Sequence, residues 1–207
     1  MCRGEKCRTD ENGAVAQGWD HDPPARQKAV PLGILVLVSG ALSLFFGSGG
    51  SSDFWVDALQ CWWQRARSEL RDIRRLVIYL DNGPDNSGRR TQFLKRMVQF
   101  ADWSGLVVRL VYYPPYHSKY NPVERCWSSL QKKWNGLLLN CWEVILAAAR
   151  RMRWKGRHPT VERLEGSYAN NVRVPAKEMK LWNTRLERSA TLPKYDITIT
   201  PKTPRGR

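Results

Sequence analysis

Apolar residues along the chain alternate between strand-like runs and helix-like stripes. Two short apolar runs, GILVLV and ALSLFF, flank a Ser39-Gly40 pair within residues 30–46 and predict a β-hairpin. A membrane span is the alternative interpretation, but the stretch is slightly short for a span and the Ser-Gly pair interrupts it. Before the hairpin, residues 1–29 are polar, show no period and predict a poorly ordered linker.

Helices and strands alternate in the next part of the chain. Apolar residues at helical spacing predict three helices: residues 53–67 with Ser52 as the cap, residues 91–103, and a helix that starts near Pro122. Between the helices lie two continuous apolar runs: RLVIYLD at 75–81 and LVVRLVYY at 106–113. Such runs are typical of parallel strands covered on both faces. The order therefore predicts an α/β fold in which helices flank a sheet.

Beyond residue 140 the spacing is helical again. It predicts three helices: CWEVILAAARRM at 141–152, TVERLEGSY at 160–168, and one that begins at Pro175 and runs to about Arg188. The last stretch, PKYDITITPKTPRGR, predicts a short strand followed by a basic tail. The chain is thus predicted to have four parts: a linker (1–29), an α/β core (30–140), a helical extension (141–192) and a basic tail (193–207).

The charge balance points to a polyanionic partner. Thirty-four Lys and Arg residues against 19 Asp and Glu residues give a net charge of +15. Neutralising phosphates releases condensed counterions, so nucleic acid is the expected partner and an anionic membrane the less common one. Ten tryptophans suit stacking on unpaired bases, although most indoles in proteins lie in the core.

Five scattered cysteines and a polar N-terminus predict reduced thiols in a cytoplasmic protein. Cys2, Cys7 and His21 do not match the spacing of a closed zinc site.

Asp81 is the first candidate for chemistry, because it sits where a predicted buried strand ends. Ligands of open α/β sheets bind at the carboxyl ends of strands, and a carboxylate there can bind a hard cation such as Mg²⁺. The alternative is an aspartate that only forms the Asp-Asn-Gly turn. Asp85 and Asn86 could supplement the metal ligands or shape the same turn.

Glu124 is the second candidate. Asn121 as the N-cap and Pro122 at the first helical position would place Glu124 at the third, which is a complete structural explanation. If the two apolar strands are neighbours, however, Glu124 also lies at the mouth of the Asp81 site. Two carboxylates at one sheet edge are what a two-metal phosphodiester enzyme needs.

Several polar residues near these acids could contact DNA. His117, Ser118 and Lys119 precede Glu124 and could touch the scissile phosphate or orient water, or form a solvated loop. The candidates for binding the phosphate backbone are Arg89, Arg90, Lys132 and Lys133.

The strings LVIYLDNGPDNSGRRTQF, VYYPPYHSKYNPVERCW and WKGRHP resemble the Rhodopirellula-type DDE transposase family of bacterial insertion sequences, over roughly residues 30–195. The resemblance implies a ribonuclease-H-like mixed sheet and two Mg²⁺ or Mn²⁺ ions. It also implies cleavage of element ends, joining to target DNA, homo-oligomers and a nucleoid-associated cytoplasmic location. Asp81 matches the second catalytic acid of the family and Glu124 the third.

The resemblance also predicts a departure. The first strand of the family carries the first catalytic Asp, whereas Asp10, Asp20 and Asp22 lie in a polar segment. We therefore expect the chain to begin after that residue, to lack the first strand, and to be inactive and poorly soluble alone. Two alternatives remain: a non-catalytic DNA-binding protein that sequesters element ends or full-length subunits, and a small membrane protein anchored by residues 30–46.

Overall fold

The computed structural model describes residues 28–114, 117 and 120–203. These residues form five helices and seven strands in two mixed sheets, which confirms the predicted α/β class and is consistent with a ribonuclease-H-like fold. In chain order the elements are β1 (Val30–Leu35), β2 (Leu42–Gly47), α1 (Ser52–Ala66), β3 (Arg75–Leu80), α2 (Thr91–Ser104), β4 (Val107–Tyr112), α3 (Glu124–Trp134), α4 (Trp142–Arg150), β5 (Thr160–Arg163), α5 (Ala176–Asn183), β6 (Leu186–Arg188) and β7 (Asp196–Ile199).

The chain forms two compact units. The first comprises the described part of Met1–Ser48 together with Pro122–Glu165, and the second comprises the described parts of Gly49–Asn121 and Gly166–Arg207. Each unit contains one of the two sheets, with order β1-β2-β5 in the first and β3-β4-β7-β6 in the second.

The first unit contains the predicted hairpin. β1 and β2 pair antiparallel, from Val30 opposite Gly47 to Leu35 opposite Leu42. Gly40 in the turn has φ +69°, a left-handed conformation that glycine adopts without steric cost. The hairpin prediction is confirmed, and no helix in the described ranges is long and apolar enough to cross a membrane.

The core of the first unit lies between the hairpin and two helices. Buried residues come from β2, from α3 and from α4 with the turn after it: Leu42, Leu44, Phe46, Cys126, Leu130, Ile145, Ala149 and Met152. Trp127 and Trp134 pack against this cluster while remaining partly exposed. Both indoles therefore stabilise the protein's own core.

The helix predicted over TVERLEGSY is wrong. Thr160–Arg163 forms β5, which pairs parallel to β2 with Val161 opposite Leu44. The ladder continues beyond β5, since the Leu164 amide donates to the Phe46 carbonyl over 2.8 Å. β-Branched residues after Pro159 fit an extended strand, and the partner strand is too distant in sequence for local spacing to show it.

In the second unit α1 and α2 pack against each other, and α2 packs against β4 and β7. The cap of α1 is Ser51 rather than the predicted Ser52, because the Ser51 side chain accepts a hydrogen bond from the Phe54 amide (3.2 Å). Gly105 ends α2 with φ +71°, the left-handed conformation that glycine commonly adopts just past the end of a helix. The apolar side chains of the covered sheet face are fully buried: Val108, Leu110, Ile197 and Ile199.

β3 is not buried on both faces, which corrects the prediction from its apolar run. Val77 is 39% exposed and Tyr79 46% exposed. On the same face of β4, Arg109 pairs with Asp196 of β7. This face therefore carries charged side chains, whereas a face covered by a second layer of helices would carry apolar ones. β3 is also the terminal strand of its sheet as far as the described residues go.

The extension predicted at 141–192 contains strands as well as helices. α5 ends at Asn183 rather than near Arg188, and β6 then pairs antiparallel with β7. β7 itself confirms the short strand predicted within residues 193–207.

Candidate active site

Asp81 directly follows β3, at the carboxyl end of a parallel strand pair. β3 and β4 run parallel with Leu80 opposite Tyr112, so the predicted adjacency of these strands is confirmed. The Asp81 residue is exposed. It therefore lies at the kind of sheet edge where open α/β proteins bind their ligands.

The Asp81 carboxylate also forms the predicted turn. Its Oδ1 accepts hydrogen bonds from the Gly83 amide (3.3 Å) and from Asn86 Nδ2 (2.9 Å). Asn82 between them has φ +63°, a left-handed conformation that asparagine tolerates better than most residues. Because no described residue donates a hydrogen bond to Asp81 Oδ2, the turn leaves one carboxylate oxygen for a further ligand.

Asn86 contributes a second oxygen beside this carboxylate. The residue is buried, and its Oδ1 has no hydrogen-bond partner among the described residues. A methyl group placed on Gly83 would lie 3.4 Å from Asn86 Oδ1, 3.4 Å from Asp81 Oδ1 and 3.5 Å from Asp81 Oδ2. Carboxylate and amide oxygens are ligands that Mg²⁺ accepts, so this group of atoms fits a hard divalent cation.

The loop that carries these atoms is tied to α1 and to β6. Ser52 Oγ, itself buried, donates to the Asp85 carbonyl (2.7 Å), and Arg188 Nη2 donates to the Gly88 carbonyl (2.9 Å). A methyl group on Gly88 would approach Ile197 Cδ1 and Tyr112 Cε2 to 3.3 Å, so the loop backbone packs tightly on the sheet. The sequence shows neither anchor, because their partners lie 33 and 100 residues away.

Glu124 is the first residue of α3. Val123 occupies the cap position, so Glu124 lies at the first helical position rather than at the predicted third. A carboxylate in the first turn still interacts favourably with the helix dipole. Glu124 belongs to the first unit and Asp81 to the second, and their pairing at one metal site stays a prediction.

Most of the predicted DNA-binding side chains are exposed. Lys132 and Lys133 lie in the last turn of α3, and Arg89 is exposed just before α2. Arg90 is half-buried, and its Nε has no hydrogen-bond partner among the described residues. The exposed His117 ring stacks on Tyr120, with centroids 5.7 Å apart and an interplanar angle of 25°.

Ser118 and Lys119 lie outside the described residues, as do Asp10, Asp20, Asp22, Cys2, Cys7 and His21. Within the described ranges, no three or more His, Cys, Asp or Glu residues form a group that could hold a metal ion.

Cys61, Cys126 and Cys141 are the cysteines of the described ranges, and they form no disulfide bond with one another. Burial raises the pKa of the Cys126 thiol to about 11. It therefore stays neutral at physiological pH and packs as a small apolar residue.

Comparisons with known proteins give one match. No curated protein sequence and no solved structure matches the chain significantly. The model of a family described as the Rhodopirellula transposase DDE domain matches residues 3–201 of 207. Families of this kind act on DNA and typically use divalent metal ions. With nearly the whole chain matched, and with an α/β core that agrees, the protein belongs to the Rhodopirellula-type DDE transposase family.

Proposed function

We propose that this chain takes part in metal-dependent cleavage of insertion-sequence ends and their transfer into target DNA, with Asp81 and Glu124 as metal-binding carboxylates. Membership of a DDE transposase family supports the reaction class. The observation that carries the assignment is the position of Asp81 at the carboxyl end of a parallel strand pair, beside the unpartnered Asn86 oxygen.

The chemistry follows from the donor atoms. A divalent cation bound by carboxylates activates the attacking oxygen and stabilises the leaving oxygen of a phosphodiester. The chain's own contribution is to hold Asp81 on an anchored loop and Glu124 at the start of a helix. Arg89, Lys132 and Lys133 expose cationic side chains that would bind the DNA backbone.

The catalytic assignment is tested by replacing each acid with its amide. Asp81→Asn and Glu124→Gln should each reduce Mg²⁺-dependent nicking of DNA that carries the element ends by at least about 100-fold, the upper end of the losses seen on disturbing metal sites. The assay is run on the chain supplied with any further transposase segment that cleavage requires.

Matched controls are available in both units. Asp72→Asn changes an almost fully exposed acid of the second unit, in the turn after α1. Glu143→Gln changes an exposed acid in the first turn of α4. Both should retain cleavage. Persistent cleavage by Asp81→Asn would remove Asp81 from the site.

A second candidate function is DNA binding without catalysis, which sequesters element ends or full-length subunits. The net charge of +15 and the exposed basic residues of α3 favour it. In that case wild type and Asp81→Asn bind DNA equally in EDTA, affinity falls steeply with salt, and neither cleaves. Lys132→Ala should then reduce the slope of log K against log salt by about 1.

A further inference from the structure

We propose that Asn86 is a metal ligand alongside Asp81, supplying its side-chain amide oxygen to the same divalent cation. The inference rests on the proposed function, since it takes Asp81 as a metal-binding carboxylate. It goes further by assigning an uncharged residue to the site and by locating the cation above Gly83.

The burial of Asn86 is the first argument. The residue is 7% exposed, and its Oδ1 has no hydrogen-bond partner among the described residues. A buried amide oxygen without a partner costs free energy, so buried polar atoms in folded proteins nearly always have one. A cation bound at Oδ1 would provide the missing partner.

The orientation of the amide is the second argument. Asn86 Nδ2 lies 2.9 Å from Asp81 Oδ1, and only the amide nitrogen can donate a hydrogen bond to a carboxylate oxygen. The amide nitrogen is therefore used in the hydrogen bond to Asp81, and the amide oxygen is the atom available to bind a cation. The same hydrogen bond fixes the orientation of the Asp81 carboxylate. Hydrogen bonds from neighbouring groups commonly orient metal-binding side chains in this way.

The space above Gly83 is the third argument. A Cβ there would have the carboxylate oxygens of Asp81 and the amide oxygen of Asn86 as its nearest neighbours, at 3.4–3.5 Å. All three are hard donors of the type that Mg²⁺ and Ca²⁺ bind. Only glycine leaves this volume empty, and Gly83 is not among the described glycines with positive φ, so no backbone strain requires glycine at this position.

The loop anchors make the arrangement persistent. Ser52 holds the Asp85 carbonyl one residue before Asn86, and Arg188 holds the Gly88 carbonyl two residues after it. A ligand set on a loop fixed at two points needs little reordering when a cation binds, which lowers the entropic cost of binding.

The test measures Mn²⁺ binding to the full chain without DNA, by electron paramagnetic resonance of the free ion. Asn86→Ala should weaken Mn²⁺ binding at least about tenfold, as loss of a supporting group does at other metal sites. Gly83→Ala should weaken it similarly, because its methyl group occupies the cation's space while making only ordinary contacts with the protein. Asn183→Ala, an exposed asparagine at the end of α5, and Gly49→Ala, with its nearest contact at 3.4 Å, are the matched controls.

Asn86→Asp separates a ligand from a residue that only shapes the turn. It keeps an oxygen at the ligand position but cannot donate to Asp81. If Asn86 is a ligand, this variant binds Mn²⁺ more tightly than Asn86→Ala does, since carboxylate oxygens are good ligands for this ion. If Asn86 only supports the turn, Asn86→Asp binds as poorly as Asn86→Ala, and the proposal fails.

Two further outcomes distinguish this proposal from the proposed function. Weak binding by Asp81→Asn with normal binding by the Asn86 and Gly83 variants overturns the role of Asn86 and leaves the catalytic assignment of Asp81 standing. No Mn²⁺ binding by the wild-type chain contradicts both. Thermal unfolding of each variant shows whether it is folded, and Gly83→Ala decides the matter if Asn86→Ala does not fold.

Discussion

Ion pairs in the second unit join residues that lie far apart in the sequence. The pairs are Arg109 with Asp196 (2.6 Å), Arg185 with Asp102 (2.7 Å) and Lys95 with Glu178 (2.8 Å). Asp102 of α2 also accepts a hydrogen bond from the Lys202 amide (2.8 Å). These contacts connect α2 and β4 to the later part of the chain. Each single pair therefore stabilises the tertiary structure of the second unit.

The Asp102 contact predicts a pH dependence of stability. The hydrogen bond from Arg185 holds the pKa of the Asp102 carboxyl below its ordinary value of 3.8. The folded state therefore binds this proton less tightly than the unfolded state, so the contribution is complete above about pH 4 and disappears as the pH falls through the lowered pKa. Asp102→Asn should cost about 1 kcal/mol at pH 7, and the difference from wild type should shrink below pH 4.

Urea unfolding of both proteins at pH 7 and at pH 3 measures this difference. Asp72→Asn is the control, because the Asp72 carboxylate is almost fully exposed and its contact with Arg71 is long, at 3.9 Å. A gap between wild type and Asp102→Asn that stays constant with pH would show that Asp102 acts by packing rather than by charge.

At the scale of elements, two adjacent serines at the start of α1 have separate functions. Ser51 caps the helix through the Phe54 amide, whereas Ser52 donates to the loop that carries Asp81. We predict that Ser51→Ala and Ser52→Ala each destabilise the protein by about 1 kcal/mol. Only Ser52→Ala should also weaken Mn²⁺ binding, because only that contact positions the loop. Equal effects of both on Mn²⁺ affinity would contradict this division.

Local patterns were sufficient for the hairpin, for α1 and α2, and for the parallel strands β3 and β4. They failed where a partner lies far away. β5 is four residues long, and its Thr160 hydroxyl bonds to Ser43, 117 residues earlier, so the partner that makes it a strand is not visible in the nearby sequence. Asp81 was recognisable because a strand, an acid and a turn are adjacent in the sequence. Ser52 and Arg188 were not, because the fold alone brings them to the loop.

At the scale of the whole molecule, the exposed face of β3 is a surface prone to aggregation. Val77 and Tyr79 are exposed on a strand that ends its sheet within the described residues. Exposed apolar edge strands pair with other chains, and charged residues block such pairing. We predict that Val77→Lys reduces light scattering at micromolar concentration and weakens ANS fluorescence.

Val38→Lys provides the control for added charge. Val38 is fully exposed in the hairpin turn, outside any strand, so the substitution adds the same charge without altering the edge of a sheet. An equal gain in solubility from both variants would attribute the effect to net charge rather than to β3.

The position of β7 has a consequence for synthesis. β7 lies between β4 and β6 in its sheet, although it is the last described strand of the chain. During translation β4 therefore exposes an unpaired edge until residue 199 has left the ribosome. A cell that makes this protein must protect that edge while residues 113–199 are synthesised, which makes the nascent chain a natural substrate for chaperones.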